Sequence, residues 1–464
     1  GDYSGNSVSL SSDGTTVAIG ANGNDSNGSN SGQVRVYNLV KLTNTIPTAS
    51  NVSAATIQNT NASVYLVAND MDFDSLTYSI VSDPSNGTAT LSGDNVIYTP
   101  NTNFKGTDTF TFKANDGEVD SETKTVTIKV IKRYLSTATQ IGADIDGEAA
   151  GDNSGSSVSF NEDATVMAIG ARQNDGNGSN SGHVRIYNYN GTVWTQLGED
   201  IDGENSGDYS GNSVSLSSDG KTIAIGASVN DGPGSNSGHV RIYNYNGTAW
   251  TQLGGDIDGE AAGDQSGQSV SLSSDGKIVA VGAKTNDGNG TNSGHVRIYN
   301  YSGTAWTQIG ADIDGEAVSD QSGYSVSLSS DGKTVAIGAV ANGSSSGHVR
   351  IYNYNDTGWT QLGLDIDGDN VSNSGWSVSL SSNGKTLAVG APSKNSGDGL
   401  ARIYNYNGTA WTQLGADIYG EAAGDQSGYS VSLSSDGKTV AIGARQNDGN
   451  GTESGHVRIY NYNG

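Results

Sequence analysis

The sequence predicts an all-β molecule, a seven-bladed β-propeller of four-stranded antiparallel blades interrupted by one small β-sandwich. Three observations carry that prediction. The pattern Ser-Val-Ser-(Leu/Phe) starts at Ser7, Ser157, Ser213, Ser269, Ser325, Ser377 and Ser430, with spacings of 150, 56, 56, 56, 52 and 53 residues. Apolar residues within each copy alternate with period two, the mark of half-buried strands. No segment has the three-to-four-residue apolar spacing of an amphipathic helix. The first gap exceeds the common period by 94 residues, so a separate segment is inserted there.

The copy from Ser266 to Gly315 shows the elements in order. Strand A is SVSLS, and Ser-Ser-Asp-Gly after it suits a tight hairpin with Gly in the left-handed region. Strand B is of the type TVAIGA, and a long polar loop such as NDGNGTNSG leads to strand C, HVRIYNY. A short turn, Asn246-Gly247 in one copy, precedes strand D, WTQLGADI. Side chains grow from Ser in A, through Ala and Gly in B, to Arg, Tyr and Trp in C and D. Blades diverge outward from an axis, so outer strands need the bulkier residues to stay close-packed, whereas a two-sheet sandwich gives no reason for the taper. Strands A, B and C occur seven times, but D only six times, near Thr139, Thr195, Thr251, Thr307, Thr360 and Thr412. A sheet edge left unpaired is an association hazard, so a segment outside this chain is expected to supply the last D.

The resulting division is residues 1–44 for strands A to C of the first blade, 45–132 for the insert, and 133–464 for the rest of the propeller. In the insert Gly thins out and Thr, Val and Ile rise, as in TYSIV, TFTFKAND and TKTVTIKV, which again alternate. The chain opens at Gly1 in mid-pattern, without an initiator Met or a signal peptide, and is read as a segment of something longer.

Composition narrows the function classes. The chain of 464 residues has 49 acidic and 23 basic residues, a net charge of −26 that opposes binding to a phosphate backbone. No apolar run approaches the roughly 18 residues of a membrane-spanning helix. The absence of Cys removes disulfides, thiolate zinc sites and cysteine nucleophiles together.

The recurring SG-x-SVS, VAIGA and SGHVRIY strings resemble the FG-GAP repeat of integrin α-chain propellers and of many bacterial surface proteins. That resemblance covers nearly the whole chain outside the insert, and it implies an extracellular propeller used for adhesion or ligand binding. The insert, with LVANDMDFDSLTYSIVSDPSNGTATL and VIYTPNTNFKGTDTFTFKANDG, resembles the bacterial Ig-like or cadherin-like modules of large adhesins. Integrin-type repeats carry a calcium loop between strands A and B. Here that place holds only Ser-Ser-Asp-Gly, as at Ser329 to Gly332, too short to wrap an ion.

The five His residues, His183, His239, His295, His348 and His456, share one slot at the start of strand C, where the other copies have Gln33 and Leu400. A slot repeated in near-equivalent settings argues for architecture over catalysis, with each His bonded to a neighbouring loop. The seven-fold Arg slot, from Arg35 to Arg458, is expected to pair with a carboxylate inside each blade. The D-to-A connection repeats Asp-Ile-Asp-Gly-Glu and then Asp: Asp144, Asp146, Glu148 and Asp152, then Asp200, Asp202, Glu204 and Asp208, with Asp256 and Asp258 in the next copy. Alternate Asp before a Gly turn suits calcium, but the loop lacks a full ligand count, and a solvated acidic loop is the favoured reading. Asp70, Asp72 and Asp74, with Asp116 and Asp120, form a second calcium candidate in the insert.

Divergence among near-identical copies marks where function is free to act. The slot after Ser-Gly at the start of strand A holds Asn6, Ser156, Asn212, Gln268, Tyr324, Trp376 and Tyr429. The three aromatics stand beside shortened B-to-C loops in the fifth and sixth copies and suit stacking on a sugar ring or an apolar side chain; packing between blades is the alternative. The tryptophans of strand D, Trp194, Trp250, Trp306, Trp359 and Trp411, read as packing residues. Up-and-down connectivity puts the B-to-C and D-to-A loops on one, acidic face and the insert on the other. The functional expectation is a non-catalytic extracellular module of a larger bacterial surface or secreted protein, binding glycan or protein. A structural spacer is the alternative, and a polysaccharide-active enzyme is disfavoured because near-identical blades do not set two carboxylates in unequal environments. Calcium is the cofactor expected if any is bound, and nucleic acid is not an expected partner.

Overall fold

The computed structural model describes residues 3–39, 44–57, 60–102, 104–131 and 139–462. The chain forms two compact units, Gly1–Thr139 and Gln140–Gly464.

The larger unit is a propeller-like fan of antiparallel sheets. Copies two to six each form a sheet in the order A, B, C, D, and the seventh copy forms a three-stranded sheet from Ser427–Leu433, Thr439–Ala444 and His456–Asn461. Strands A of consecutive copies adjoin one another, and the Ser-Val-Ser pattern explains how. The first Ser donates to the Gly carbonyl at the start of the next strand A, as Ser213 Oγ to Gly267 O at 2.9 Å. The second accepts from the next copy, as Ser215 Oγ from the Leu272 amide at 2.9 Å. Neighbouring inner strands are thus stitched by hydroxyls rather than by a continuous ladder. A further chain of amide bonds joins the A-to-B turns, from Ser218 N to Ser274 O, Ser274 N to Ser330 O and Ser330 N to Ser382 O. Inside this stitching lies a cavity of about 910 Å³ lined by Leu216, Ser218, Leu272, Ser274, Leu328 and Ser330 among others.

The Gly of strand B has a packing reason. A Cβ on Gly226 would collide with the carbonyl of Gly267 in the next copy and with Ser213 Oγ. Between sheets, apolar residues of strands A, B and C form clusters that cross from one copy to the next, such as Val240, Ile242, Val270, Leu272 and Val279. The end sheets show the same apolar positions open: Val158 is 60% exposed against 8% for Val270, and Val457 65% against 0% for Val296.

Two expectations change. Strand D is not continuous: Trp194–Gln196 pairs with the end of strand C and Ile201–Asp202 with its start, and between them Gly198 adopts φ +81°. The left-handed glycine throws Glu199 out of the ladder and aims Asp200 back across strand C. The D strand expected near Thr139 falls partly on residues 132–138, outside the described residues, and residues 139–147 form no strand. The shortened B-to-C loops hold one-turn segments, Asn342–Ser345 and Lys394–Gly397.

The smaller unit contains the three-stranded sheet of the first copy, Ser4–Leu10, Thr16–Ala21 and Gln33–Asn38, whose Val8, Leu10, Val34 and Val36 are exposed. It also contains a β-sandwich of a three-stranded and a four-stranded sheet with a short two-stranded ribbon. Val64, Val96, Tyr98, Phe110, Phe112, Val126 and Ile128 form its core. Tyr98 is buried there and its hydroxyl donates to Asp108 Oδ2 at 2.9 Å, which also caps the amide of Asn86.

Candidate functional site

The aromatic slot assembles into one continuous feature. Tyr324 and Trp376 have ring centroids 4.7 Å apart, and Trp376 and Tyr429 5.4 Å, with interplanar angles of 46° and 45°. All three rings are half-buried, and they come from three consecutive copies, so the stack runs across blade boundaries. Cations flank it: the Lys284 ammonium lies 5.3 Å over the Tyr324 ring and the Arg445 guanidinium 4.0 Å over Tyr429. Arg172 reaches Asn212, which holds the same slot two copies before Tyr324, at 3.4 Å. Burial, with the charge of Arg172 added, lowers the Lys284 pKa, and burial raises that of the Tyr324 phenol. This end of the inner strands is therefore aromatic and basic within a strongly acidic chain.

The acids of the D-to-A connection divide into two groups. The last Asp of each loop, Asp152, Asp208, Asp264, Asp320 and Asp425, is buried and caps loop amides, as Asp264 Oδ2 accepting from Ala261 at 2.9 Å and from Asn286 at 3.1 Å. The first Asp and the Glu converge on the His slot. His183 Nδ1 stands 3.7 Å from Glu148 Oε2 and 3.6 Å from Asp200 Oδ2. His239 with Glu204 and Asp256, His295 with Glu260 and Asp312, and His348 with Glu316 and Asp365 repeat this at 3.8–3.9 Å. In each triad the two carboxylate oxygens and a ring nitrogen lie within 4.8 Å of one another.

Sequence reasoning brought Asp200 and Asp256 to a cation but joined them to Asp202 and Asp258; the geometry joins them instead to a His and a Glu. Asp144 accepts from Gln140 at 2.7 Å, and the backbone carbonyls of Asp146, Asp202 and Asp258 accept from Arg185, Arg241 and Arg297. The expected Arg–carboxylate pair inside the blade forms in the sixth copy, where Arg402 bonds Asp417; in copies two to five the guanidinium donates to a carbonyl of the preceding connection and stands 3.5–3.8 Å from that connection's Glu. Each His, in turn, makes no hydrogen bond to a neighbouring loop: Nε2 of all five is buried without a partner. Burial, and then the adjacent Arg charge, lowers the pKa of His239 and His348 and brings that of His295 to about 4, so these rings are neutral at neutral pH.

In the sandwich, Asp70, Asp72 and Asp74 gather within 4.8 Å. Asp116 and Asp120 do not join them: Asp116 accepts from Asn44 and the amides of Glu118 and Val119, and Asp120 from Lys113 and Asn115. Asp72 accepts from the Thr45 amide at 2.7 Å. The strand D tryptophans are packing residues that also hook the preceding copy: Trp250 Nε1 donates to Leu197 O at 2.7 Å, with its ring 5.2 Å from Tyr245.

Comparison with known proteins follows this division. The FG-GAP repeat family matches residues 1–37, 201–243, 258–299 and 420–460, and the bacterial Ig domain family matches residues 44–129. No curated protein matches the chain. Among solved structures, a putative 6-phosphogluconolactonase from Bacteroides uniformis is similar at TM-score 0.50 and 13% identity, covering 78% of this chain and 89% of that one. Hydrazine synthase from Kuenenia stuttgartiensis is similar at TM-score 0.45 and 14% identity, covering 77% and 92%. The first likeness is one of fold alone. Among the described residues, no helix is long and apolar enough to cross a membrane.

Proposed function

We infer that this chain, which carries FG-GAP repeats and a bacterial Ig domain, is a non-catalytic binding module of a larger extracellular bacterial protein, and that its ligand is a carbohydrate. The observation that carries this reading is the stack of Tyr324, Trp376 and Tyr429 with Lys284 and Arg445 over its outer rings. Aromatic faces take the apolar faces of sugar rings, and flanking cations take carboxylates or sulfates, so an acidic polysaccharide is the favoured class. The seven-bladed reading rests on seven copies of one sequence period; the first copy is assigned to the propeller on sequence alone. Repeated, near-equivalent carboxylates favour binding over hydrolysis, which needs an acid and a base of unequal pKa. Calcium belongs to the proposal at the Asp70, Asp72 and Asp74 loop, where three carboxylates converge.

The test is a glycan array followed by calorimetry with the acidic polymers that bind. Trp376→Ala is expected to weaken binding about tenfold or more, a stacking contribution near 1.4 kcal/mol. Lys284→Gln is expected to reduce the salt dependence. Absence of binding to every glycan, acidic or neutral, removes the carbohydrate reading and leaves the spacer.

A further inference from the structure

The His–Glu–Asp triads have the chemistry of a site, and a natural substitution within the chain shows what they lack. In each of copies two to five, one oxygen of each carboxylate is already engaged. Asp256 Oδ1 accepts from Gln252 at 2.5 Å, and Glu204 Oε1 faces the Arg241 guanidinium at 3.6 Å. Asp256 Oδ2, Glu204 Oε2 and His239 Nδ1 remain, pointed at one another. Their 3.8–3.9 Å separations are beyond hydrogen-bond length and near the spacing of about 3.4 Å between ligands of a tetrahedral ion with bonds of about 2.1 Å. His239 is only 2% exposed, and its Nδ1 has the two carboxylates no nearer than 3.8 Å, a costly place for a ring nitrogen unless something else binds it.

The sixth copy supplies the second, independent observation. There Leu400 replaces the His and Asp369 replaces the Glu. Arg402, in the Arg slot, abandons the backbone carbonyl its counterparts use. Its Nη2 instead bonds Asp369 Oδ2 at 2.6 Å and Asp417 Oδ2 at 2.8 Å, and its Nε bonds Asp417 Oδ1 at 2.9 Å. Where the imidazole is missing, a guanidinium cation sits between the two carboxylates. Where the imidazole is present, the guanidinium donates to a backbone carbonyl and the two carboxylates face the ring nitrogen.

We propose that the four triads each bind a divalent transition-metal cation of the zinc class, through one imidazole nitrogen and two carboxylate oxygens, with water completing the coordination. Imidazole selects against calcium and magnesium, which take oxygen ligands. Glu comes from the connection entering the blade, His from strand C and Asp from the blade's own outer strand, so each ion would clamp the outer strand to the preceding copy.

The full chain, stripped with chelator and dialysed, is titrated with zinc chloride by calorimetry, and bound metal is counted by elemental analysis. Four tight equivalents are expected, undisturbed by excess calcium. The double substitution His239→Leu with Glu204→Asp installs the arrangement of the sixth copy and is expected to remove one equivalent. Its counterparts in the other three copies are each expected to remove one more. Zinc content below one equivalent, or indifferent to these substitutions, overturns the proposal and marks the ion as adventitious. Should a substituted chain fail to fold, cobalt(II) added to the unsubstituted chain decides. Intense visible bands of a low-coordinate nitrogen–oxygen site support the proposal, and the weak spectrum of aqueous cobalt alone overturns it.

Discussion

At the scale of single residues, the recurring side chains act across copies. Trp250 has two roles that substitutions separate: Trp250→Phe removes only the bond to Leu197 O and is expected to cost about 1 kcal/mol, whereas Trp250→Ala removes the packing too and costs about 3–5 kcal/mol, read from urea midpoints. Arg402 joins two carboxylates in one ionic centre. Its hydrogen bonds hold the Asp417 pKa well below the ordinary carboxylate value, and Lys394, with Arg402, lowers that of Asp369. A depressed carboxylate pKa adds stability that is complete above the unfolded value near 3.8 and is lost as pH falls through the folded one. Arg402→Met leaves the partly buried Asp417 without its cation while Asp369 keeps Lys394, and is expected to cost about 1–3 kcal/mol at neutral pH. Its acid unfolding midpoint then moves upward in pH, because the depressed pKa values no longer protect the fold. A midpoint that does not move excludes the triad of charges as a stabilising unit. The Arg and His slots were legible in the sequence as repeated positions. Their partners were not, because the Arg241–Asp202 bond joins residues 39 apart in different blades, and periodicity alone does not say which neighbour a side chain faces.

At the scale of elements, the glycine of strand B shows why the repeat is so uniform. Gly226 is met by the backbone of the next copy's Gly267, as Gly170 is by that of Gly211 one copy earlier. Gly226→Ala forces the inner strands apart and is expected to destabilise by about 1–3 kcal/mol, with Ser213→Ala, which loses one bond to Gly267 O, costing about 1 kcal/mol. Equal effects of the two would count against the close approach. Strand D was the element the sequence misdescribed. WTQLGADI reads as one strand by composition, but the glycine after Leu197 takes a left-handed conformation that only the packing of Trp250 against it reveals. The break is what presents Asp200 to His183.

At the scale of the whole molecule, the β-sandwich has a core of its own, so residues 44–131 expressed alone are expected to unfold in one cooperative transition; a gradual, non-cooperative melt would show dependence on flanking chain. Adding calcium to that fragment is expected to raise its melting temperature through the Asp70–Asp74 loop, and Asp72→Asn to abolish the rise. An unchanged melting curve excludes calcium there. The residue order by itself determined the all-β class, the repeat, the insert and the aromatic slot, because period-two alternation, turn residues and copy number are local properties that survive without coordinates. Only the tertiary structure decided which side chains meet. It brought Tyr324, Trp376 and Tyr429 from three copies into one stack between cations and turned alternating acids toward buried imidazoles, because such contacts depend on the angle between neighbouring sheets, which no single repeat encodes.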